Sequence, residues 1–181
     1  MKIYLIIVIT FTFGLDCFGQ TPRQLTKTDS TQIETEVEKK TQELKDSLVE
    51  SGQKADNLRI EFATDTFSIE ERHRLKLGID YSTNGMVIST IYANKEYDKL
   101  LNKYYQLLQK SLNEEDKEIL KKSQRNWIEF RDSELELNGV LMNDYYSGGG
   151  SIQCVFAAGR NLDLTRDRVL ELYHYLNRKM K

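Results

Sequence analysis

Prolines are nearly absent from this chain. Pro22 is the only one, and nothing from Arg23 onward carries a residue that breaks helices and strand ladders alike. Cysteine is as scarce. Of Cys17 and Cys154, the first falls in a leader sequence, so an internal disulfide is excluded for the mature chain and the core must hold by packing. His73 and His174 are the two histidines, far apart in sequence. Neither Cys-x-x-Cys nor His-Glu-x-x-His spacing occurs, which excludes the common zinc patterns. No metal and no cofactor is expected. An excess of one charge is also missing. Lys and Arg number 26 against 28 Asp and Glu, for a net charge of -2, which leaves no electrostatic footprint for nucleic acid and no polybasic run for an anionic membrane.

The one long apolar run lies at the start. Lys2 supplies a positive charge, and Ile3 to Phe13 is apolar except for Thr10 and Thr12. A bilayer-spanning helix needs roughly 20 apolar residues, so this run reads as a signal peptide, not a span. Cys17-Phe18-Gly19 offers small residues at the two positions a signal peptidase reads, which places cleavage after Gly19. The expectation is an exported protein, periplasmic or secreted, with no transmembrane anchor in the mature chain. Lipid attachment at Cys17 is disfavoured by Asp16, which stands where a small residue is normally required.

What remains reads as helix throughout. No segment alternates convincingly with period two and no repeat is visible. Residues 20–30 are polar and are expected to form a flexible tether. Thr31-Gln-Ile-Glu34 has the form of a capping box and predicts a charged helix to Glu50 with a narrow apolar stripe: Ile33, Val37, Leu44 and Leu48. Such a helix is expected to dock weakly, with Ser51-Gly52 ending it. A second helical stretch runs from about Asn57 to Leu77. It is either one bent helix or two, because Ser68-Ile-Glu-Glu71 has the same capping form, and Gly78 is the expected stop. Residues 31–78 thus form a charged N-terminal helical region, and 79–181 the remaining helical domain.

In that domain Ala93, Tyr97, Leu100, Tyr104, Leu107 and Ser111 recur at helical spacing from about Asn84 to Leu112. Asn113 then caps a helix that opens on Glu114, Glu115 and Asp116, acids that suit its positive end. It runs to about Leu141, with Leu120, Trp127, Phe130 and Leu137 as its stripe. Three consecutive glycines exclude a regular element at 148–150 and make Asn143 to Gln153 the one clear loop. A short helix over Ile152 to Ala158, stopped by Gly159, should precede a final helix capped by Thr165. The predicted fold is an all-α bundle of long antiparallel helices with one Gly-rich loop.

No constellation for catalysis stands out. Ser147-Gly-Gly-Gly-Ser151 lacks the lysine of a phosphate loop, and no serine or cysteine sits in a nucleophile elbow. The expected role is binding rather than chemistry. Trp127, the sole tryptophan, is either a core anchor or a partly exposed platform. Arg131 follows it by one turn and needs a partner if buried, either Asp98 or Glu134. Asp98, Asn102, Tyr105 and Gln109 make a polar stripe on the helix before. Cys154, between apolar neighbours, reads as a buried thiol, with pairing between two chains as the alternative. Tyr145 and Tyr146, flanked by Ser147 and Ser151, are candidate partner contacts, because tyrosine gives contact area at low entropic cost. The alternative has them tucked onto the core.

The string Gln124-Arg125-Asn126-Trp127-Ile128-Glu129-Phe130-Arg131-Asp132 carries a resemblance. With Tyr97-Asp98, Leu101-Asn102 and Tyr105 before it, and Ser151, Leu164-Thr165, Arg168 and Leu172 after it, residues 93–172 resemble the LprI-type lysozyme-inhibitor family. The resemblance implies a small exported helical domain whose partner is a protein, a lysozyme. It also implies a motif core of Asp98, Asn102, Tyr105, Gln124, Trp127, Arg131, Asp132 and Arg168. Leu135 stands where many relatives look to carry a cysteine, so no stapling disulfide carries over. The implied action is blockade of a lysozyme-like muramidase by insertion of the Asn143 to Gln153 loop into its cleft. A non-catalytic structural or adaptor module of the envelope is the alternative, with the Thr31 to Glu50 helix as its docking arm. The oligomeric state stays open.

Overall fold

The computed structural model describes residues 21–50 and 57–179. The expected signal peptide over 1–19 and the Ser51-Gly52 stop lie outside them. Six helices follow in order: α1 (Lys27–Glu50), α2 (Asn57–Ile79), α3 (Thr83–Ser111), α4 (Glu114–Leu141), α5 (Asp144–Ser147) and α6 (Ile152–Lys179). There is no strand among the described residues, and the all-α bundle expected from the sequence is the fold found.

Several boundaries differ from those expected, each for a local reason. Helix α1 begins at Lys27, ahead of Thr31, because Thr26 and Asp29 form the reciprocal pair. The Thr26 amide donates to Asp29 Oδ2 at 2.8 Å and the Asp29 amide to Thr26 Oγ1 at 3.1 Å. Arg23 adds two hydrogen bonds to the same carboxylate, at 2.6 and 2.7 Å, and its amide donates to Ile79 O at 3.3 Å. Thr31 sits inside the helix with its hydroxyl returned to Lys27 O. Helix α2 is a single element, since Ser68 Oγ donates to Asp65 O and Glu71 turns to basic partners. Gly78 lies within it, without the positive φ of a terminating glycine. Helix α6 runs unbroken through Gly159. Thr165 caps nothing; its hydroxyl donates to Asn161 O one turn back, at 3.2 Å.

The core is built by α2, α3 and α6. Tyr104, Val169 and Leu172 are fully buried there. Phe62 of α2 stacks on Tyr173 of α6 at 3.8 Å between centroids and meets Tyr104 of α3 edge-on at 5.3 Å. Arg166 over the Tyr97 ring and Tyr173 beside Tyr104 place α6 parallel to α3. Pairs such as Glu70 with Tyr97 and Asp65 with Tyr104 run α2 antiparallel to α3. Helix α1 lies on α2 through buried Ile33 and Val37, and is fastened by Arg72 on Glu34 and Lys40 on Glu71.

Helix α4 departs most from its sequence pattern. Leu120 and Gln124 are its buried residues, whereas Phe130 and Leu137, assigned above to the buried stripe, are each 50% exposed. The first half of α4 packs; the second half meets α6 mainly through polar contacts. Asn138 Nδ2 donates to Ala157 O at 3.3 Å and Arg160 pairs with Glu134 at 2.8 Å. No helix among the described residues is long and apolar enough to cross a membrane.

Candidate functional site

Two features of this frame gather the candidate site residues: a groove between α3 and α4, and the turn between α4 and α6. The groove gathers residues the sequence scatters. Asp98, Asn102 and Tyr105 from α3 face Gln124, Trp127 and Arg131 from α4, and Leu101, Lys121, Arg125 and Ile128 complete a cavity of about 460 Å³. Six of the eight motif-core residues therefore line one concavity. Helical spacing explains it, because positions 98, 102 and 105 share a face of α3, and 124, 127 and 131 share a face of α4.

The other two motif-core residues support the groove from behind and at the edge. Arg168 of α6 is 5% exposed. Its Nε donates to Gln124 Oε1 at 3.1 Å, Nη2 to Ser123 Oγ at 3.3 Å and Nη1 to Glu171 Oε2 at 2.5 Å. A buried guanidinium with that many acceptors is satisfied, and it pins α4 to α6 beneath Trp127. Asp132 holds Arg131, whose Nη2 lies 2.7 Å from Asp132 Oδ1. The partners expected for Arg131, Asp98 and Glu134, are not the ones it takes: Glu134 pairs with Arg160.

Trp127 proves to combine the two readings open to it. The ring is partly buried against the core cluster, yet it also lines the groove. The Arg131 and Arg168 guanidinium carbons lie 5.3 and 5.8 Å from its centroid, within cation–π range.

The α4–α6 turn is rigidly made. Asn143 Oδ1 accepts from the Tyr145 amide at 3.0 Å, so the expected loop begins with a single helical turn, α5. Gly148, Gly149 and Gly150 follow with φ of 76, 82 and 95, a run that residues with a side chain resist. Ser147 Oγ donates to Met142 O at 3.1 Å and accepts from the Gly149 amide at 3.0 Å, so this hydroxyl holds the turn together. Ser151 is exposed. Tyr145 and Tyr146 are 86% and 61% exposed, their rings edge-on at 4.9 Å. They point outward instead of tucking onto the core.

The surroundings of the turn are acidic and apolar. Residues 129–160 carry Glu129, Asp132, Glu134, Glu136 and Asp144 against Arg131 and Arg160, and both arginines are spent on ion pairs. Leu141 and Phe156 are 49% and 63% exposed. Cys154, expected to be buried, is exposed among them, because this end of α6 faces a half of α4 that does not close over it.

Sequence reasoning missed the contacts at the other end. His73, taken as isolated, has Nδ1 2.8 Å from Ser89 Oγ. Burial holds its pKa below the ordinary histidine value. Ser89 is 4% exposed, so the pair joins α2 to α3 and presents no nucleophile. No sequence signal pairs residues 16 apart on different helices.

With this geometry established, likeness to known proteins becomes informative. Residues 79–172 match the family described as Lysozyme inhibitor LprI. That stretch contains the α3–α4 groove and the Tyr145–Tyr146 turn, and leaves α1 and nearly all of α2 outside. A protein of Rhizobium meliloti (strain 1021), described as uncharacterized, is 35% identical over 98 residues, which cover 45% of this chain and 67% of that one. No solved structure matches this chain.

Proposed function

This chain belongs to the lysozyme inhibitor LprI family, and from that premise we propose that it is an exported binding protein that blocks a lysozyme-like muramidase. The α4–α6 turn enters the enzyme's cleft and no bond is made or broken by the inhibitor itself. One observation carries the reading: Tyr145 and Tyr146 stand outward on a turn locked by Asn143 and three left-handed glycines. A rigid aromatic pair gives up little conformational freedom on binding. The hydroxyls of Tyr145, Tyr146 and Ser151 donate hydrogen bonds, which suits a cleft built around two carboxylates. The unpaired acids around the turn steer it toward a basic enzyme, and the apolar rim supplies area to bury.

The adaptor reading has less support. It needs α1 free to act as an arm, whereas Ile33 and Val37 are buried against α2.

The test is titration of the mature chain, Gln20 to Lys181, into lysozymes of several structural classes, with cell-wall hydrolysis as readout. The expected outcome is saturable inhibition of at least one class with one-to-one stoichiometry, weakened by added salt. Absence of inhibition in every class at high micromolar concentration would refute the proposal.

A further inference from the structure

The α3–α4 groove holds a chemistry that blocking an enzyme with the distal turn does not use. We propose that it is a binding site for a saccharide that carries a carboxylate. The proposal stands independently of the muramidase reading.

Three observations carry it. The first is composition: an indole, a phenol, a carboxylate, two carboxamides, an ammonium and two guanidinium groups line one open cavity of about 460 Å³, within the roughly 300–1,000 Å³ of small-molecule sites. Aromatic surface suits the apolar face of a sugar ring, and mixed donors and acceptors suit its hydroxyls.

The second is unspent hydrogen bonding. Some exposed charges on these helices pair with neighbours three residues away: Glu96 with Lys99, Glu114 with Lys117, and Glu118 with Lys121, the last of which also lines the groove. Within the groove the Asp98 carboxylate, the Tyr105 hydroxyl and the Arg125 guanidinium take no side-chain hydrogen bond or ion pair among the described residues. Arg125 stays unpaired although Glu129 lies one turn further along α4. Asn102 directs its Nδ2 to Asp98 O at 2.9 Å, which leaves its Oδ1 to accept.

The third is the charge pattern, which chooses among ligands. A phosphate or an acidic peptide would use Arg125 and meet Asp98 as a like charge. A neutral sugar would use Asp98 and leave Arg125 without a partner, Arg131 being held already by Asp132. A saccharide bearing one carboxylate satisfies both: hydroxyls donate to Asp98, and the carboxylate accepts from Arg125.

Trp127 is the chain's sole tryptophan, so its fluorescence reports on this groove alone. The probe is the disaccharide of N-acetylglucosamine and N-acetylmuramic acid, with diacetylchitobiose as the counterpart that lacks the carboxylate. The mature chain is expected to give a saturable fluorescence change with the acidic disaccharide, at a dissociation constant of roughly 0.1–1 mM, and a weaker one with diacetylchitobiose. Asp98→Ala and Arg125→Ala, both at exposed positions, should each weaken binding about tenfold while leaving the melting curve unchanged. Changing Tyr145 and Tyr146 to alanine should leave sugar binding intact, which separates this result from the fate of the muramidase proposal. No saturable signal, equal affinity for the two sugars, or binding that Asp98→Ala and Arg125→Ala leave unchanged would each overturn the assignment.

Discussion

At the scale of single residues the charges that matter are those tied between helices. Glu71 is 8% exposed and accepts from Arg74 at 2.7 and 2.6 Å and from Lys40 of α1 at 2.8 Å. These hydrogen bonds, Arg74 first, pull its pKa from the ordinary 4.5 to about 2. A carboxylate depressed in this way stabilises the fold above its unfolded pKa, and that contribution is lost as pH falls from about 4.5 toward 2. Glu71→Gln should therefore cost about 1 kcal/mol at neutral pH, and the difference from the parent chain should vanish near pH 2. Parallel denaturant titrations at the two pH values check this; an equal loss at both would contradict it. The sequence shows that Glu71 is a helix acid. It does not show that Lys40, 31 residues earlier, closes on it, because that depends on how α1 sits on α2. The same limit applied to Arg131: its adjacent Asp132 took the place of the more distant partners that helical spacing offered.

At the scale of elements, the glycines around the distal turn test its construction. Gly149 has a φ of 82, and a Cβ added there would meet Asp144 Oδ1 at 3.2 Å. Gly149→Ala should cost about 1 kcal/mol, lowering the melting temperature by roughly 2–4 °C. Gly159 is helical, with nothing within 4 Å of an added Cβ. Gly159→Ala should instead stabilise by about 0.5–1 kcal/mol. Thermal melts of the two variants should therefore move in opposite directions; shifts of the same sign would show that the turn is not built as described. Element existence was largely legible in the sequence, since caps such as Asn113 and the helical spacing of Ala93, Tyr97 and Tyr104 are local signals. Breaks were less so. Gly159 and Thr165 looked like a stop and a start, yet Ala158, Leu162 and Val169 are buried on one continuous face, and tertiary packing overrides a single glycine.

At the scale of the whole molecule, the two proposed sites lie at different places along α4. Trp127 and the α4 terminus at Leu141 are 14 residues apart, about 21 Å along a helix, so the groove and the tyrosine turn can be altered separately. The groove was half legible: its residues carried the family resemblance, but their convergence needed the relative placement of α3 and α4. The exposed second half of α4 was not legible, because the sequence spacing of Phe130 and Leu137 does not say whether another helix covers them. The most direct measurement of the central claim compares the mature chain with its Tyr145→Ala/Tyr146→Ala variant against a lysozyme that the parent chain inhibits. The account predicts that inhibition weakens at least tenfold, while the melting temperature and groove fluorescence stay as in the parent. Full inhibition by the variant, with both aromatic rings gone, would contradict it.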